Sequence, residues 1–291
     1  MRLSSFLSHP LPDGPETIRP FIKMHGLGNH FVIFDQRKTH WDLKTDDVVR
    51  ICDVRYGVGA EQVLAIQWPS AQAKSSGAYA AVRIFNVDGR EVGACGNASR
   101  CIAYLLFDEA GSEELWLETK GGLLHCRKTG KMEASVKFGP ISMSWERIPL
   151  SKPVDTSHLP IESGPLRDGL AFNIGNPHAV FFVDDLDRVD VAAVAPAIQS
   201  HPLFPEGVNV GVAQVLDFGT LRLAVWERPG ILTGACGTGA CVAAFAGRLR
   251  GFLTVDNVVV HFPAGRLGIK LERDGMVIMT GPVAFCCCGF V

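Results

Sequence analysis

Short apolar runs separated by glycine-rich turns dominate the chain and predict strands. One strand over Ile22 to Met24 and another over Phe31 to Phe34 flank a turn at residues 25–29. A matching pattern recurs at residues 172–185, around Gly175-Asn176. Glycine and asparagine tolerate the positive φ that such turns require. The paired occurrence favours a site loop at both places, in addition to a hairpin turn.

Two segments carry apolar residues at helical spacing. Residues 97–109 end near Gly111, and residues 238–250 end before Gly251. Glycine is a common residue just after a helix C-terminus, which supports both ends. Each segment has apolar or small residues on most faces, so we expect both helices to be buried inside a sheet.

The remaining segments predict strands and loops. They are strands over 115–127 and 132–138, an exposed hairpin loop at 69–78, a Pro-rich polar crossover at 145–169, and C-terminal hairpin strands with turns at 263–265 and 274–275. Mixed strands around one buried helix, twice over, predict an α+β fold of two pseudo-symmetric domains, each a mostly antiparallel or mixed sheet around a central helix. The chain lacks the alternating βαβ pattern of a Rossmann or barrel fold.

The predicted domains follow from this duplication. We expect an N-terminal extension over 1–17, one domain over 18–137 with 282–291, a second domain over 138–281, and the active site in the cleft between them. A length of 291 residues suits two domains of ordinary size.

Composition bears on the expected partners and on the cellular compartment. Twenty-eight Lys and Arg residues against 30 Asp and Glu residues give a net charge of −2, which provides no reason to expect nucleic acid or an anionic membrane as partner. No apolar run approaches the ~20 residues that cross a bilayer. The first residues make a poor secretory signal and predict a loose extension. Nine cysteines without framework spacing indicate reduced thiols in the cytosol.

One tripeptide occurs twice, as Ala94-Cys95-Gly96 and Ala235-Cys236-Gly237. A β-like run precedes each copy, and the two segments align without a gap at an offset of 141 residues, from 95 to 236. One cysteine at the same place in each half of a duplicated chain suggests two thiols that face each other across a pseudo-two-fold axis.

Both cysteines stand at a predicted strand-to-helix junction. A thiol has a pKa of about 8.5, and a helix N-terminus lowers it by stabilising the thiolate. The backbone N–H groups that follow, at residues 96–97 and 237–238, form an anion site suited to a carboxylate. One thiolate could remove a Cα proton while the opposite thiol delivers a proton to the other face. That chemistry inverts a stereocentre and needs no cofactor.

Eight segments, in order, resemble diaminopimelate epimerases from about Ile18 to the C-terminus. They are KMHGLGNHF, GVGAEQVL, NVDGREVGACGNASRC, ETKGG, GNPHAV, GVNVGVAQV, WERPGILTGACGTGAC and MTGP. The resemblance implies a cofactor-independent, metal-free enzyme that interconverts the L,L and meso forms of 2,6-diaminopimelate. It also implies a cytoplasmic homodimer in lysine and cell-wall precursor biosynthesis, with a small amino dicarboxylic acid as its partner and no nucleic acid or membrane.

The resemblance also assigns roles to residues. Cys95 and Cys236 match the acid and base, and His178 and Glu227 match residues that assist proton transfer. Positions that match substrate-binding residues are Asn29, Gln62, Asn86, Gly96, Asn97, Asn176, Asn209, Glu227, Arg228, Gly237 and Thr238. Arg228 suits a distal carboxylate, because a guanidinium binds both oxygens at once.

Four departures from the family pattern are present. His30 and Glu61 each stand where the family has Asp, Ala98 stands where it has Gly, and residues 229–233 replace Gly-x-Gly-Glu-Thr. None removes a group assigned to the chemistry.

Two other functions stay open at this level. The first keeps the fold with another substrate, as in the proline racemase or hydroxyproline epimerase group; Arg228, Asn86 and Asn209 argue against it, since a proline ring has no distal charged end. The second is a non-catalytic protein whose paired cysteines switch between thiol and disulfide. The other cysteines are expected to be core or strand residues: Cys52, Cys101, Cys126, Cys241, Cys286, Cys287 and Cys288.

Overall fold

The computed structural model describes residues 3–7, 18–38, 41–93 and 95–291. The chain divides into two compact units, one formed by residues 1–136 with 280–291 and the other by residues 137–279. Most of the predicted N-terminal extension, residues 1–2 and 8–17, lies outside the described residues.

The described residues contain the following regular elements. The strands are β1 (Pro20–Gly26), β2 (Asn29–Asp35), β3 (Gln62–Gln67), β4 (Ala78–Asn86), β5 (Glu91–Val92), β6 (Glu114–Thr119), β7 (Gly122–Gly130), β8 (Glu133–Phe138), β9 (Leu170–Asn173), β10 (Pro177–Phe182), β11 (Asn209–Asp217), β12 (Thr220–Glu227), β13 (Ile231–Thr233), β14 (Asn257–Phe262), β15 (Gly265–Leu271), β16 (Val277–Pro282) and β17 (Ala284–Phe290). The helices are α1 (Leu3–Phe6), α2 (Thr45–Cys52), α3 (Ala71–Ser75), α4 (Gly96–Ala110), α5 (Val191–Gln199) and α6 (Gly237–Leu249), with a 3₁₀ turn at Leu186–Arg188.

The first unit is a mixed sheet around α4. Strands β17, β1 and β2 pair antiparallel, β2 pairs parallel with β3, β3 pairs antiparallel with β4, and β4 pairs parallel with β6. Strands β6, β7 and β8 complete it antiparallel. Helix α4 packs against β1, β2, β4, β6 and β7. Residues 96–103 of α4 are all buried, as a helix enclosed by a sheet requires.

The second unit repeats this topology. Strands β9 and β10 pair antiparallel, β10 pairs parallel with β11, β11 pairs antiparallel with β12, and β12 pairs parallel with β14, which pairs antiparallel with β15. Helix α6 packs against β10, β11, β12, β14 and β15. The duplicated α+β architecture predicted from the sequence is confirmed.

The predicted ends of both central helices are also confirmed. Gly111 follows α4 with φ 62°, and Gly251 lies just beyond α6 with φ 74°. At the other end, Cys95 and Cys236 are the N-cap residues, with extended backbones at φ −145° and φ −125°. Each cysteine therefore stands where a chain segment turns into a buried helix.

Some local predictions differ from the structure. The loop expected at 69–78 contains α3, which starts there because the Ser70 hydroxyl accepts a hydrogen bond from the Ala73 N–H. Residues 3–7, expected to be part of a loose extension, form α1 and a turn, and the Phe6 ring lies 5.4 Å from the Phe290 ring. Both segments gain order from contacts that a local pattern does not reveal.

The crossover at 145–169 consists of turns rather than helices or strands. It nevertheless supplies buried apolar side chains to the core of the second unit, namely Ile148, Leu150, Leu159, Ile161 and Leu166. In the described part of the chain, no helix is both long and apolar enough to cross a membrane.

Candidate active site

The ends of equivalent strands carry the predicted site residues in both units. Gln62 and Asn209 begin β3 and β11, while Asn86 and Glu227 end β4 and β12. Gln62 is paired with Phe31 of β2 in the same way as Asn209 is paired with His178 of β10. Each unit therefore builds one half-site on the same backbone positions.

The first half-site surrounds Cys95. The Cys95 thiol is half-buried and donates a long hydrogen bond, 3.9 Å, to Asn29 Oδ1. The same oxygen accepts from Asn97 Nδ2 at 3.3 Å. Asn29 begins β2 directly after the turn at Leu27-Gly28, where both residues have positive φ. The turn thus places a carboxamide oxygen against the cysteine at the start of α4.

Glu61 fixes the other end of that carboxamide. Its Oε2 accepts hydrogen bonds from Asn29 Nδ2 and from the His30 N–H, the second at 2.9 Å. An ionised carboxylate only accepts, so the Asn29 nitrogen must face Glu61 and its oxygen must face Cys95 and Asn97. The sequence interpretation treated Glu61 as a departure from the family pattern and assigned it no role.

Two buried carbonyl oxygens of this half-site have no hydrogen-bond partner among the described residues. They are Gln62 Oε1 and Asn97 Oδ1. The Gln62 nitrogen is already used, since it donates to Asn86 Oδ1 at 2.8 Å. Buried acceptors normally find a donor, so both oxygens are suited to N–H groups of a ligand.

The second half-site surrounds Cys236, whose side chain is buried at 5% exposure. The sulfur accepts from the Gly239 N–H at 3.4 Å, and the Thr238 Oγ1 lies 3.6 Å away. Burial, and next the charge of Glu227, raise the pKa of the Cys236 thiol well above its ordinary value. The hydrogen bonds from Thr238 and Gly239 act in the opposite direction. Cys236 is therefore a thiol at neutral pH.

His178 belongs to a hydrogen-bonded group behind this sulfur. Its Nε2 lies 3.1 Å from Asn176 Oδ1 and 3.0 Å from Thr238 Oγ1, and Asn176 Nδ2 donates to the same hydroxyl at 3.4 Å. An amide oxygen only accepts, so Nε2 carries the proton. The ring is 1% exposed, and burial lowers the pKa of His178 to about 3. It is a neutral donor at neutral pH.

Glu227 and Arg228 end the strand that leads to Cys236. Glu227 Oε1 accepts from Thr233 Oγ1 at 2.6 Å, a contact that the sequence did not indicate. The Arg228 N–H donates to Asn209 Oδ1 at 2.9 Å, and its guanidinium donates to the Glu206 carbonyl at 3.0 Å. Burial lowers the pKa of Arg228 although the guanidinium stays protonated. A ligand carboxylate would compensate for the lost hydration.

The structure thus gathers the predicted residues into two sets. Asn29, Cys95 and Asn97 are in contact, with Gln62 and Asn86 as a second bonded pair in the same unit. In the other unit, hydrogen bonds join Asn176, His178, Thr238 and Cys236, and separately Asn209 and Arg228. Gly96 and Gly237 are the first residues of α4 and α6. No group of three His, Cys, Asp or Glu side chains in the described ranges is arranged to hold a metal ion.

The duplicated α+β fold carries one cysteine at the N-terminus of each buried helix, and comparison with known families assigns the chain to the epimerases, a class of isomerases. Within it, the profile of the Diaminopimelate epimerase family matches residues 21–144 and 170–286, and this chain belongs to that family. Similar proteins named diaminopimelate epimerase come from Rhodospirillum centenum, 44% identical over 92% of this chain and 90% of that protein, and from Acidiphilium cryptum, 42% identical over 91% and 94%.

Solved structures share the fold at low sequence identity. A hydroxyproline epimerase from Agrobacterium vitis has a TM-score of 0.68 at 16% identity, covering 95% of this chain and 93% of that one. A phenazine biosynthesis protein of the PhzF family from Enterococcus faecalis has a TM-score of 0.65 at 15% identity, covering 94% and 98%. At this identity the likeness concerns the fold alone.

Proposed function

We propose that the protein inverts one α-carbon of L,L-2,6-diaminopimelate to give the meso form, without a cofactor. The observation that carries the proposal is the pair of helix-capping cysteines, each at the same position of a repeated unit, in a chain of this family. Relatives at 40–44% identity bear the name of this activity, which supports the substrate.

The proposed chemistry uses one sulfur as base and the other as acid. A thiolate takes the Cα proton and becomes a thiol, while the opposite thiol gives its proton to the other face of Cα and becomes a thiolate. The bond count balances, since one S–H and one C–H bond form as one of each breaks. Exchange of protons with solvent restores the starting state. Matched groups of this kind supply general acid–base catalysis.

Charged and polar groups of the two half-sites would hold the substrate. The first N–H groups of α4 and α6 suit the reacting carboxylate, because a helix N-terminus favours an anion. Gln62 Oε1 and Asn97 Oδ1 suit ammonium N–H groups. The Arg228 guanidinium suits the distal carboxylate. An amino dicarboxylic acid offers all of these groups, whereas a proline ring lacks the distal ones.

The surroundings of Cys236 suit an acid that later carries a negative charge. Its thiol form is favoured by burial and by Glu227, so a proton is available for donation. Thr238 and Gly239 then stabilise the thiolate by hydrogen bonds. In this scheme His178 holds the Thr238 hydroxyl as a neutral donor.

The family resemblance adds a cytoplasmic homodimer that serves lysine and cell-wall precursor synthesis. Sedimentation velocity tests the dimer.

The experiment incubates the reduced protein with L,L-2,6-diaminopimelate in heavy water and follows the products by NMR. We expect the meso isomer with one deuterium at the inverted carbon and no requirement for an added cofactor. The control substrates are L-proline and trans-4-hydroxy-L-proline, which should exchange no Cα proton. Folded protein that leaves diaminopimelate undeuterated, or that exchanges only the proline substrates, contradicts the proposal.

A further inference from the structure

Glu61 stands one residue before β3, outside the set of groups that would touch the substrate. Its Oε2 receives two hydrogen bonds from the start of β2, one from the Asn29 side chain and one from the His30 backbone. Both donors are more than 30 positions away in sequence, so Glu61 connects the start of β2, which follows the turn at Leu27-Gly28, to the start of β3. One of the two, Asn29, also contacts the Cys95 sulfur.

The Asn29 carboxamide can take two orientations that differ by a half-turn. In the observed orientation its oxygen faces the Cys95 thiol at 3.9 Å and the Asn97 nitrogen at 3.3 Å. An oxygen acceptor at this place favours the thiol, since a thiolate beside it would meet a second electron-rich atom. In the opposite orientation, Nδ2 would donate to the sulfur and favour the thiolate.

The neighbouring Asn97 shows that the observed orientation is held from outside. Its buried Oδ1 has no hydrogen-bond partner in the described residues, and an unmatched buried acceptor is costly. If both carboxamides turned over, Asn29 Nδ2 could donate to Asn97 Oδ1. The charged Glu61 opposes that turn, because an ionised carboxylate can only accept hydrogen bonds and would face the Asn29 oxygen, and because hydrogen bonds to a charged group are the stronger ones.

We propose that Glu61 is a positioning residue, which holds the Asn29 carboxamide with its oxygen toward Cys95 and so sets the thiol–thiolate balance of that cysteine. For its catalytic meaning the proposal rests on the function proposed above: with Cys236 as the acid, Cys95 must lose its proton to act as the base, and the Asn29 oxygen held by Glu61 opposes that loss. Its physical content, the orientation of Asn29, is a property of the unliganded protein and is tested without substrate.

The test is carried out in the full-length Cys236→Ser protein, so that alkylation at the site reports Cys95. Iodoacetamide labelling of the Cys95 peptide is measured by mass spectrometry across pH for Glu61→Ala, Glu61→Gln and the parent. We expect the half-labelling pH of Glu61→Ala to fall by about one unit, with about tenfold faster labelling below the midpoint, since one pKa unit changes the thiolate fraction tenfold. Glu61→Gln lacks the charge and can present either its oxygen or its NH2 group to Asn29, so its half-labelling pH should lie between those of the parent and of Glu61→Ala.

Glu118→Ala is the matched control. Glu118 lies in the same unit and also accepts two hydrogen bonds, both at 2.7 Å, from the Ser70 N–H and hydroxyl. It should leave the Cys95 profile unchanged. An unchanged profile in Glu61→Ala overturns the proposal, and so does an equal shift in Glu118→Ala.

A double variant tests whether Glu61 acts through Asn29. Removal of the carboxamide in Asn29→Ala should make a further Glu61→Ala change silent, as expected for one coupled pair. A full further shift of the half-labelling pH in the double variant contradicts the proposed route.

If Glu61→Ala does not fold, the Glu61→Asp protein replaces it. Its shorter side chain should shift the half-labelling pH in the same direction by less. A parent protein that labels as expected but fails to epimerise diaminopimelate refutes the proposed function and leaves this inference standing.

Discussion

The Thr238 hydroxyl lies 3.6 Å from the Cys236 sulfur. The direction of this hydrogen bond follows from the other neighbours of the hydroxyl: Asn176 Nδ2 donates to its oxygen, and His178 Nε2, whose one proton also faces Asn176 Oδ1, lies 3.0 Å from it. Neither N–H group can accept the hydroxyl proton, which is therefore directed to the sulfur. The Thr238 hydroxyl and the neutral His178 ring behind it thus stabilise a negative charge on Cys236.

We expect Thr238→Val to disfavour the Cys236 thiolate. Valine keeps the shape but removes the hydroxyl donor, so the pKa of Cys236 should rise further and its alkylation at pH 8 should slow about tenfold. Thr238→Ser keeps the hydroxyl and should behave like the parent. Labelling of the Cys236 peptide in a Cys95→Ser background measures both. A valine variant with the parent's labelling rate would contradict the assigned direction of the bond.

Removal of the Glu227 charge should have the opposite effect on the same thiol. Glu227→Gln retains an oxygen that accepts from Thr233, but it lacks the charge that raises the pKa of Cys236. The pKa should therefore fall, and alkylation of Cys236 at pH 7 should be faster than in the parent. Glu162→Gln, an exposed site in the same unit, is the control. Slower labelling in Glu227→Gln would show that the sign is wrong.

Each cysteine should be essential on its own. Without Cys95 or Cys236, one face of Cα lacks its proton donor or acceptor, and positioned acid–base groups contribute about 10²–10⁴-fold. Cys95→Ala and Cys236→Ala should each lose the epimerase rate by that factor or more, measured by the heavy-water assay. Cys52→Ala, a buried thiol in a side core of the first unit, serves as control for cysteine replacement. A single site variant with most of its activity would exclude the two-cysteine scheme.

A stability prediction concerns the turn before Glu61. A Cβ added to Gly57 would overlap the Arg50 carbonyl oxygen and lie 2.7 Å from that of Ile51. Gly57→Ala should therefore destabilise the protein by about 1–3 kcal/mol, the usual cost of overpacking, and lower its melting temperature. Gly93→Ala is the control, since its nearest atom would be at 3.8 Å. Equal thermal unfolding of the two variants would contradict the crowding at Gly57.

Local signals explain why the central helices could be predicted. Gly111 and Gly251 end α4 and α6 because only a residue without a side chain adopts the left-handed backbone there at little cost. The short helix α3 was missed, since its polar residues resemble a loop and its start is set by the Ser70 cap and the distant Glu118. Contacts between residues distant in sequence produce no periodic pattern of apolar and polar residues.

The same distinction holds for the half-sites. The duplicated cysteine was visible because its neighbours repeat along with it. The contact of Glu61 with Asn29 was not visible, because the two residues are 32 positions apart and the contact depends on how β2 lies beside β3. Likewise nothing in the sequence orients His178 Nε2 toward Thr238, which requires β10 to lie against α6.

The unequal surroundings of the two sulfurs have a consequence for covalent inhibitors. Cys95 is half-buried beside a carboxamide oxygen, whereas Cys236 is buried beside a carboxylate and a hydroxyl. A small neutral electrophile would meet two different reaction partners, although both are cysteines capping equivalent helices. The chemistry of an inhibitor's reactive group, and not only its shape, therefore decides which sulfur it modifies. Labelling of the unmodified cysteine would then show which adduct has formed.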